Sequence, residues 1–185
     1  MMQDIDTQYC LFATAIGTCG VAWSERGVAR LQLPECDPAA TERMLAKRAV
    51  RAGTTLPSAI DHLITQLQAY ASGHRVDFAS TLLDLANINA FEQSVYAAAR
   101  AIPWGQTQSY GEIARQIGSP DAARAVGQAL GRNPLPIIIP CHRVLAKNHG
   151  IGGFSAHGGT RTKERLLGLE GVYFDGGMPL LPGFA

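Results

Sequence analysis

Asn133-Pro134-Leu135-Pro136-Ile137-Ile138-Ile139-Pro140-Cys141-His142-Arg143-Val144 is the stretch on which the reading of this chain turns. Three consecutive isoleucines between prolines predict a buried extended segment, with Cys141 at its rigid end. A free thiol has a pKa of about 8.5 and attacks little at neutral pH unless a neighbour favours its thiolate. His142 is adjacent and Arg143 follows, so this cysteine could be activated; a buried, inert cysteine is the alternative that the residues alone leave open. Neighbours on an extended chain point to opposite faces, so a direct Cys141–His142 contact is not assured. An intervening water would relax that constraint.

Upstream of this stretch, Ala122, Ala123, Ala125, Gly127, Ala129 and Gly131 predict a helix that is small-sided nearly all round. Such a helix buries little, and its smallness permits close approach by something else. Arg124 is the long cation inside the run; a solvated surface residue is the plainer reading of it. Ser119-Pro120 is expected to cap this helix, which runs to about Gly131. Before it, Ser109 and Glu112 spell an S-x-x-E capping box for a helix ending at Gly118. Two helices joined by a Gly-Ser-Pro turn have helix-turn-helix spacing, although an ordinary helical hairpin shares it. Earlier still, Phe91 to Ile102 reads as a helix stopped by Pro103-Trp104-Gly105.

The pattern changes near Asn87 to Ala90, where the domain boundary is placed: 1–86, 87–172 and a carboxy-terminal tail, 173–185. Tyr9–Ile16, Cys19–Ser24 and Val28–Leu33 are short β-prone runs separated by turn residues, which predicts an antiparallel meander. Asp37-Pro38 reads as a cap and first-turn proline opening a helix to about Arg51. A second helix follows Pro57-Ser58; Ile60, Leu63, Ile64, Leu67, Tyr70 and Ala71 trace its apolar face, and Gly73 stops it. The fold class is α/β, with a mainly helical second half.

Hydrophobic residues make up 46% of the 185 and charged residues 17%, which excludes wholesale disorder. No apolar run approaches the roughly 20 residues of a membrane span. Met1 to Gln8 carries Asp4 and Asp6 and no basic cluster, unlike a signal peptide. Four irregularly spaced cysteines form no disulfide framework, so a reduced intracellular protein is expected. Residues 1–90 carry a net −2 and residues 91–171 a net +4, a split compatible with nucleic-acid contact through the second half.

The segment from Phe91 to Gly171 resembles the DNA-binding and catalytic domain of O6-alkylguanine-DNA alkyltransferases. The match comprises Ser109-Tyr110-Gly111-Glu112-Ile113-Ala114, Ala122-Ala123-Arg124-Ala125-Val126-Gly127, Arg132-Asn133-Pro134, the Ile-Pro-Cys-His-Arg-Val core, Lys163-Glu164, Leu166-Leu167 and Glu170-Gly171. Residues 1–86 match only in outline, as the family's ribonuclease-H-like amino-terminal α/β domain.

The resemblance implies that Cys141 takes an alkyl group from O6 of guanine, and from O4 of alkylthymine, in double-stranded DNA. The transfer is irreversible and single-turnover, and follows flipping of the base. His142 would be the base through a bridging water, Glu170 its orienter, and Tyr110 a helper at the purine ring. Asn133 would be the hinge tying the helix-turn-helix to the active-site loop. Arg124 would fill the gap left by the flipped base, with Ala123, Ala125 and Gly127 on the helix laid in the minor groove. Arg132, Arg143 and the amides opening that helix would position the duplex; pairing of these arginines with Glu or Asp inside the protein is the alternative. Pro140, Val144, Phe154 and Ser155 would line the guanine pocket. Phe154 stands where many relatives carry tyrosine, and Ser155–Thr160 is longer than in the animal members, so the pocket wall differs from theirs. His149 and His157 are expected to be exposed loop residues.

A cytoplasmic monomer without cofactor follows from the same resemblance. Some members hold structural zinc, and Cys10, Cys19, Cys36, His62 and His74 could suggest it here. The paired spacing is missing, with Ser24 and Ala29 near where ligands would stand, so no metal is expected. Two other classes compete: a lesion-binding module that lacks the chemistry, against which the retained Cys141, His142 and Glu170 speak, and a thiol hydrolase, for which no oxyanion donors are visible.

Overall fold

A computed structural model describes residues 7–174. Met1–Asp6 and the expected tail from residue 175 onward lie outside the described residues. The chain divides into two compact units, 1–86 and 87–185.

The first unit is built on a meander of β1 (Gln8–Thr14), β2 (Gly17–Ser24) and β3 (Gly27–Gln32). Cys10 faces Val21 and Phe12 faces Cys19 in the β1–β2 register. Helix α1 (Pro38–Ala46) opens as expected: Ala40 N donates to the Asp37 carboxylate at 2.6 Å, and Pro38 occupies the first turn. It does not reach Arg51. Val50–Arg51 forms a short strand, β4, parallel to β1, which completes the order β3-β2-β1-β4. Val50 N donates to Thr7 O at 2.9 Å and Ala52 N to Tyr9 O at 2.8 Å, so the free sheet edge offers these amides partners that a longer helix would have to replace.

Helix α2 (Ser58–Ala71) buries the whole expected stripe, Ile60, Leu63, Ile64, Leu67, Tyr70 and Ala71. Leu63 and Leu67 are 2% and 3% exposed, each worth about 1.5–3 kcal/mol of burial. The segment that leaves this unit is zipped onto β3: Val28 N donates to Leu82 O and Asp84 N to Val28 O, both at 2.9 Å. Ser24 Oγ adds a 2.6 Å bond to the Asp84 carboxylate. Gly27 makes this approach possible; its φ is +133°, and a Cβ there would stand 2.6 Å from the Leu82 carbonyl oxygen.

The second unit contains α3 (Ala90–Arg100), β5 (Gln108–Ser109), α4 (Tyr110–Gln116), α5 (Ala123–Gly131), β6 (Val144–Leu145) and α6 (Thr160–Leu169). β5 and β6 pair in parallel, which brings the start of α4 beside the chain just past Arg143. The capping box forms in full: Glu112 N donates to Ser109 Oγ, and the Glu112 carboxylate accepts from Ser109 N at 2.6 Å. α5 starts later than its sequence suggests. Ser119 and Pro120 lie in a turn closed by Ala122 N to Ser119 O, and Ala122, with no side-chain cap, precedes the helix. Val126, Ala129 and Leu130 face inward, and Tyr96 of α3 donates its hydroxyl to Ala129 O at 3.0 Å.

The isoleucine segment is buried but not extended. Ile139 N donates to Leu135 O, and Cys141 N to Ile139 O at 2.7 Å, so the chain coils through successive turns. Ile137 takes φ +72°, a region that a β-branched residue normally avoids. Cys141–Arg143 then forms one 3₁₀ turn, so the opposite-face argument for Cys141 and His142 does not apply. No helix among the described residues is long and apolar enough to cross a membrane.

Candidate active site

Asn133, two residues past the end of α5, knits together the loop that leads to Cys141. Its Nδ2 donates to Ile139 O at 2.8 Å, and its Oδ1 accepts from Leu135 N at 2.9 Å. That brace sets the turn presenting Cys141. Burial pushes the thiol's pKa up; the Asn133 amide and the Lys163 charge pull against it. At rest Cys141 is therefore a protonated, shielded thiol with two neighbours that favour its anion.

His142 is fully buried and donates from Nε2 to Glu170 Oε1 at 2.7 Å. That bond assigns the tautomer: Nδ1, also buried, is the ring's acceptor. Burial pushes the imidazole's pKa down, helped by Arg143 and Lys163 and opposed by Glu170. Burial by itself would raise the Glu170 carboxyl, but the hydrogen bond from His142 and the bonds and charge of Arg143 outweigh it and hold it at about 2. Gly105 N adds a 3.2 Å bond to Glu170 Oε2. The resting couple is thus a neutral imidazole on an ionised carboxylate.

Lys163 is a site residue to which the sequence reading gave no role. It is completely buried, and its Nζ donates to Val144 O at 2.6 Å and to Gly153 O at 3.5 Å. Burial brings its pKa down to about 8. A signal was present: Lys163, Leu166, Leu167 and Glu170 recur at i, i+3, i+4 and i+7, and all four are buried. Tyr110, the first residue of α4, lies with its ring centroid 5.8 Å from Lys163 Nζ. Burial raises its phenol's pKa, with a further push from Cys141. The ring passes close to α5 and to the 150s loop: a Cβ on Gly127 would lie 3.8 Å from it, and one on Gly152 3.1 Å from its hydroxyl.

The remaining expected residues divide by exposure. Pro140 and Val144 are buried beside Cys141, Phe154 is half-buried and Ser155 exposed. Arg124 is exposed on α5, with Ala123, Ala125 and Gly127 half-buried around it. Arg132 pairs with Glu92 at 2.7 Å, yet its side chain stays 61% exposed. Arg143 differs from its expected part: its side chain is 9% exposed and its guanidinium is bound to Glu170 and Ile102, so no free face is left for a phosphate. A carboxylate in the core draws the guanidinium inward more strongly than solvent holds it out. His157 is exposed, and the side chain of His149 lies outside the described ones. Among the described residues no group of three or more His, Cys, Asp or Glu side chains could hold a metal ion.

A two-unit α/β protein with a buried thiol beside an imidazole–carboxylate couple is the class that this geometry defines. A family model, the DNA-binding domain of 6-O-methylguanine DNA methyltransferase, matches residues 90–172. The methylated-DNA–protein-cysteine methyltransferase of Sulfolobus acidocaldarius is 37% identical over 164 residues, covering 89% of this chain and 93% of that protein. Its namesake in Mycobacterium bovis is 47% identical over 114 residues, 62% of this chain and 67% of the other. Among solved structures, Mycobacterium tuberculosis OGT in complex with DNA aligns with a TM-score of 0.73 at 37% identity, covering 88% of this chain and 92% of that one. The O6-methylguanine-DNA methyltransferase of Pyrococcus kodakaraensis aligns at 0.66 with 26% identity, covering 90% and 99%. The chain belongs to the methylated-DNA–protein-cysteine methyltransferase family.

Proposed function

We propose that this protein repairs DNA by moving the alkyl group of O6-alkylguanine, and of O4-alkylthymine, from the duplex onto its own Cys141. The observation that carries the reading is the Cys141–His142–Glu170 arrangement: a shielded thiol, a neutral acceptor imidazole and an ionised orienter. The thiol proton passes through a water to His142 Nδ1, the logic of a triad with a water inserted. Sγ then attacks the alkyl carbon, a C–S bond forms and the C–O6 bond breaks. The electron pair stays on the guanine, which takes up a proton and is released as the normal base. Attack at sp³ carbon forms no tetrahedral oxyanion, so no oxyanion hole is needed. A thioether is a poor leaving group, so each molecule reacts once.

A base inside the stack cannot reach a buried thiol, so the lesion is flipped, at an unstacking cost of a few kcal/mol. α4 and α5 act as the helix-turn-helix, with Ala123, Ala125 and Gly127 allowing α5 to lie in the minor groove and Arg124 filling the gap. Tyr110 assists at the purine ring, Asn133 ties α5 to the loop, and Pro140, Val144, Phe154 and Ser155 line the base pocket. Arg132 and the first amides of α5 position the duplex. The first unit is a ribonuclease-H-like support, and the protein works as a cytoplasmic monomer without cofactor.

The test is incubation with an O6-methylguanine duplex followed by peptide mass analysis. A gain of one CH₂ on the Cys141 peptide, abolished in Cys141→Ser with duplex binding retained, is expected. Retained binding without transfer would indicate a lesion-binding module, and label on Cys10, Cys19 or Cys36 would overturn the nucleophile.

A further inference from the structure

Arg143 lies inside the site, and its guanidinium joins three parts of the second unit. Nε donates to Glu170 Oε2 at 2.8 Å and Nη2 to Glu170 Oε1 at 3.0 Å, a two-pronged grip on the carboxylate past the end of α6. Nη1 donates to Ile102 O at 2.6 Å, just beyond α3. Glu170 Oε1 is the same oxygen that accepts from His142 Nε2. The carboxylate therefore serves both of these side chains, of which the guanidinium alone is permanently charged.

This changes what the carboxylate does to the imidazole. An uncompensated carboxylate at 2.7 Å would orient His142 and also strongly favour imidazolium, which has no acceptor nitrogen left. A carboxylate already neutralised by a guanidinium still orients the ring but favours the added proton far less. The charged and titratable groups around His142 are few: Glu170 past the end of α6 favours imidazolium, while Lys163 of α6 and Arg143 of the 3₁₀ turn oppose it. Cys141 completes the turn, and Tyr110 of α4 and Tyr96 of α3 stand near the thiol, both held neutral by burial.

We propose that Arg143 is a positioning residue that offsets the charge of Glu170, so that His142 is oriented by the carboxylate yet keeps Nδ1 open for the thiol proton. The proposal rests on His142 being the base in the transfer, but its effect on the imidazole can be read without any transfer. It also explains why a basic residue next to the nucleophile points into the protein instead of toward a phosphate.

The experiment is an NMR titration of the His142 ring in full-length Cys141→Ser, with and without Arg143→Lys or Arg143→Gln. The signal is assigned by its loss in His142→Asn. The midpoint is expected to rise by about one pH unit in Arg143→Gln and by less in Arg143→Lys. In proteins that keep Cys141, the acid limb of the single-turnover rate profile should move upward by the same amount. Arg143→Lys keeps a positive charge in the core and carries the test if Arg143→Gln does not fold. A midpoint unchanged to within about 0.2 unit in a folded variant would overturn the proposal, since a merely structural arginine would alter stability and leave the titration in place. A shifted midpoint with no transfer activity in any form would instead sink the assignment of His142 as base.

Discussion

Lys163 donates to the Val144 carbonyl oxygen across 2.6 Å, which plants a buried ammonium beside the turn that carries Cys141. Its charge favours the thiolate, and the thiolate in turn supports the charge. Lys163→Met should lower the single-turnover rate at pH 7 by about tenfold, because the thiolate loses a neighbouring charge. In the native protein the contribution should fade above pH 8, where the ammonium itself is lost. An unchanged rate in a folded Lys163→Met protein would make Lys163 only a tie between α6 and Val144.

Glu170 ties the stability of the fold to acid pH. Its folded pKa, about 2, lies below the ordinary value of about 4.3, so the unfolded chain binds its proton first. The resulting stabilisation is present above about pH 4.3 and is lost as pH falls through about 2, and is on the order of 3 kcal/mol. His142 acts in the same sense from about pH 6.5 downward, since burial keeps it neutral when folded. Glu170→Gln should therefore slow transfer with duplex binding intact and flatten the dependence of unfolding free energy on pH below 4. Denaturant titrations from pH 3 to 7 measure the second effect; equal slopes for both proteins would contradict it.

Arg124 is exposed on a helix whose other side chains are mostly small. Arg124→Ala should reduce the repair rate on duplex DNA much more than on free O6-benzylguanine, which needs no extrusion. The difference is bounded by the few kcal/mol of unstacking. Equal losses on the two substrates would assign Arg124 to the fold.

The DNA surface should be modest in charge. With Arg143 turned inward, roughly three or four phosphate contacts are expected, giving a log–log salt slope of about −3 to −4 for undamaged duplex. Arg143→Lys should leave that slope unchanged, and Arg132→Ala should make it shallower by about 1. A slope near zero would leave no electrostatic interface.

Gly27 offers a test of the first unit alone. A Cβ there would press on the Leu82 carbonyl oxygen in a backbone conformation suited to glycine. Gly27→Ala should cost about 2 kcal/mol or more of stability, read as a lower denaturant midpoint. A midpoint equal to that of the native protein would mean that the Val28–Leu82 pairing yields freely.

Local chemistry is what the chain alone determined. The Ser109–Glu112 box, the Asp37-Pro38 helix start and the α2 stripe each depend on residues a few positions apart, and each forms. Cys141 with His142 was legible as a nucleophile candidate because the two are neighbours in sequence. Only the tertiary structure decided where longer-range partners lie. β4 exists because Thr7 and Tyr9, more than 40 positions earlier, offer carbonyl groups to Val50 and Ala52. Ile137 accepts a left-handed backbone because Asn133 and the surrounding turns hold it there. Whether Arg143 meets a phosphate or an internal acid is open until Glu170, 27 residues on, is folded against it. Lys163 likewise becomes part of the site when α6 turns its inward face to Val144. Burial and pairing with distant groups set what these charges do, and no short stretch of sequence specifies either.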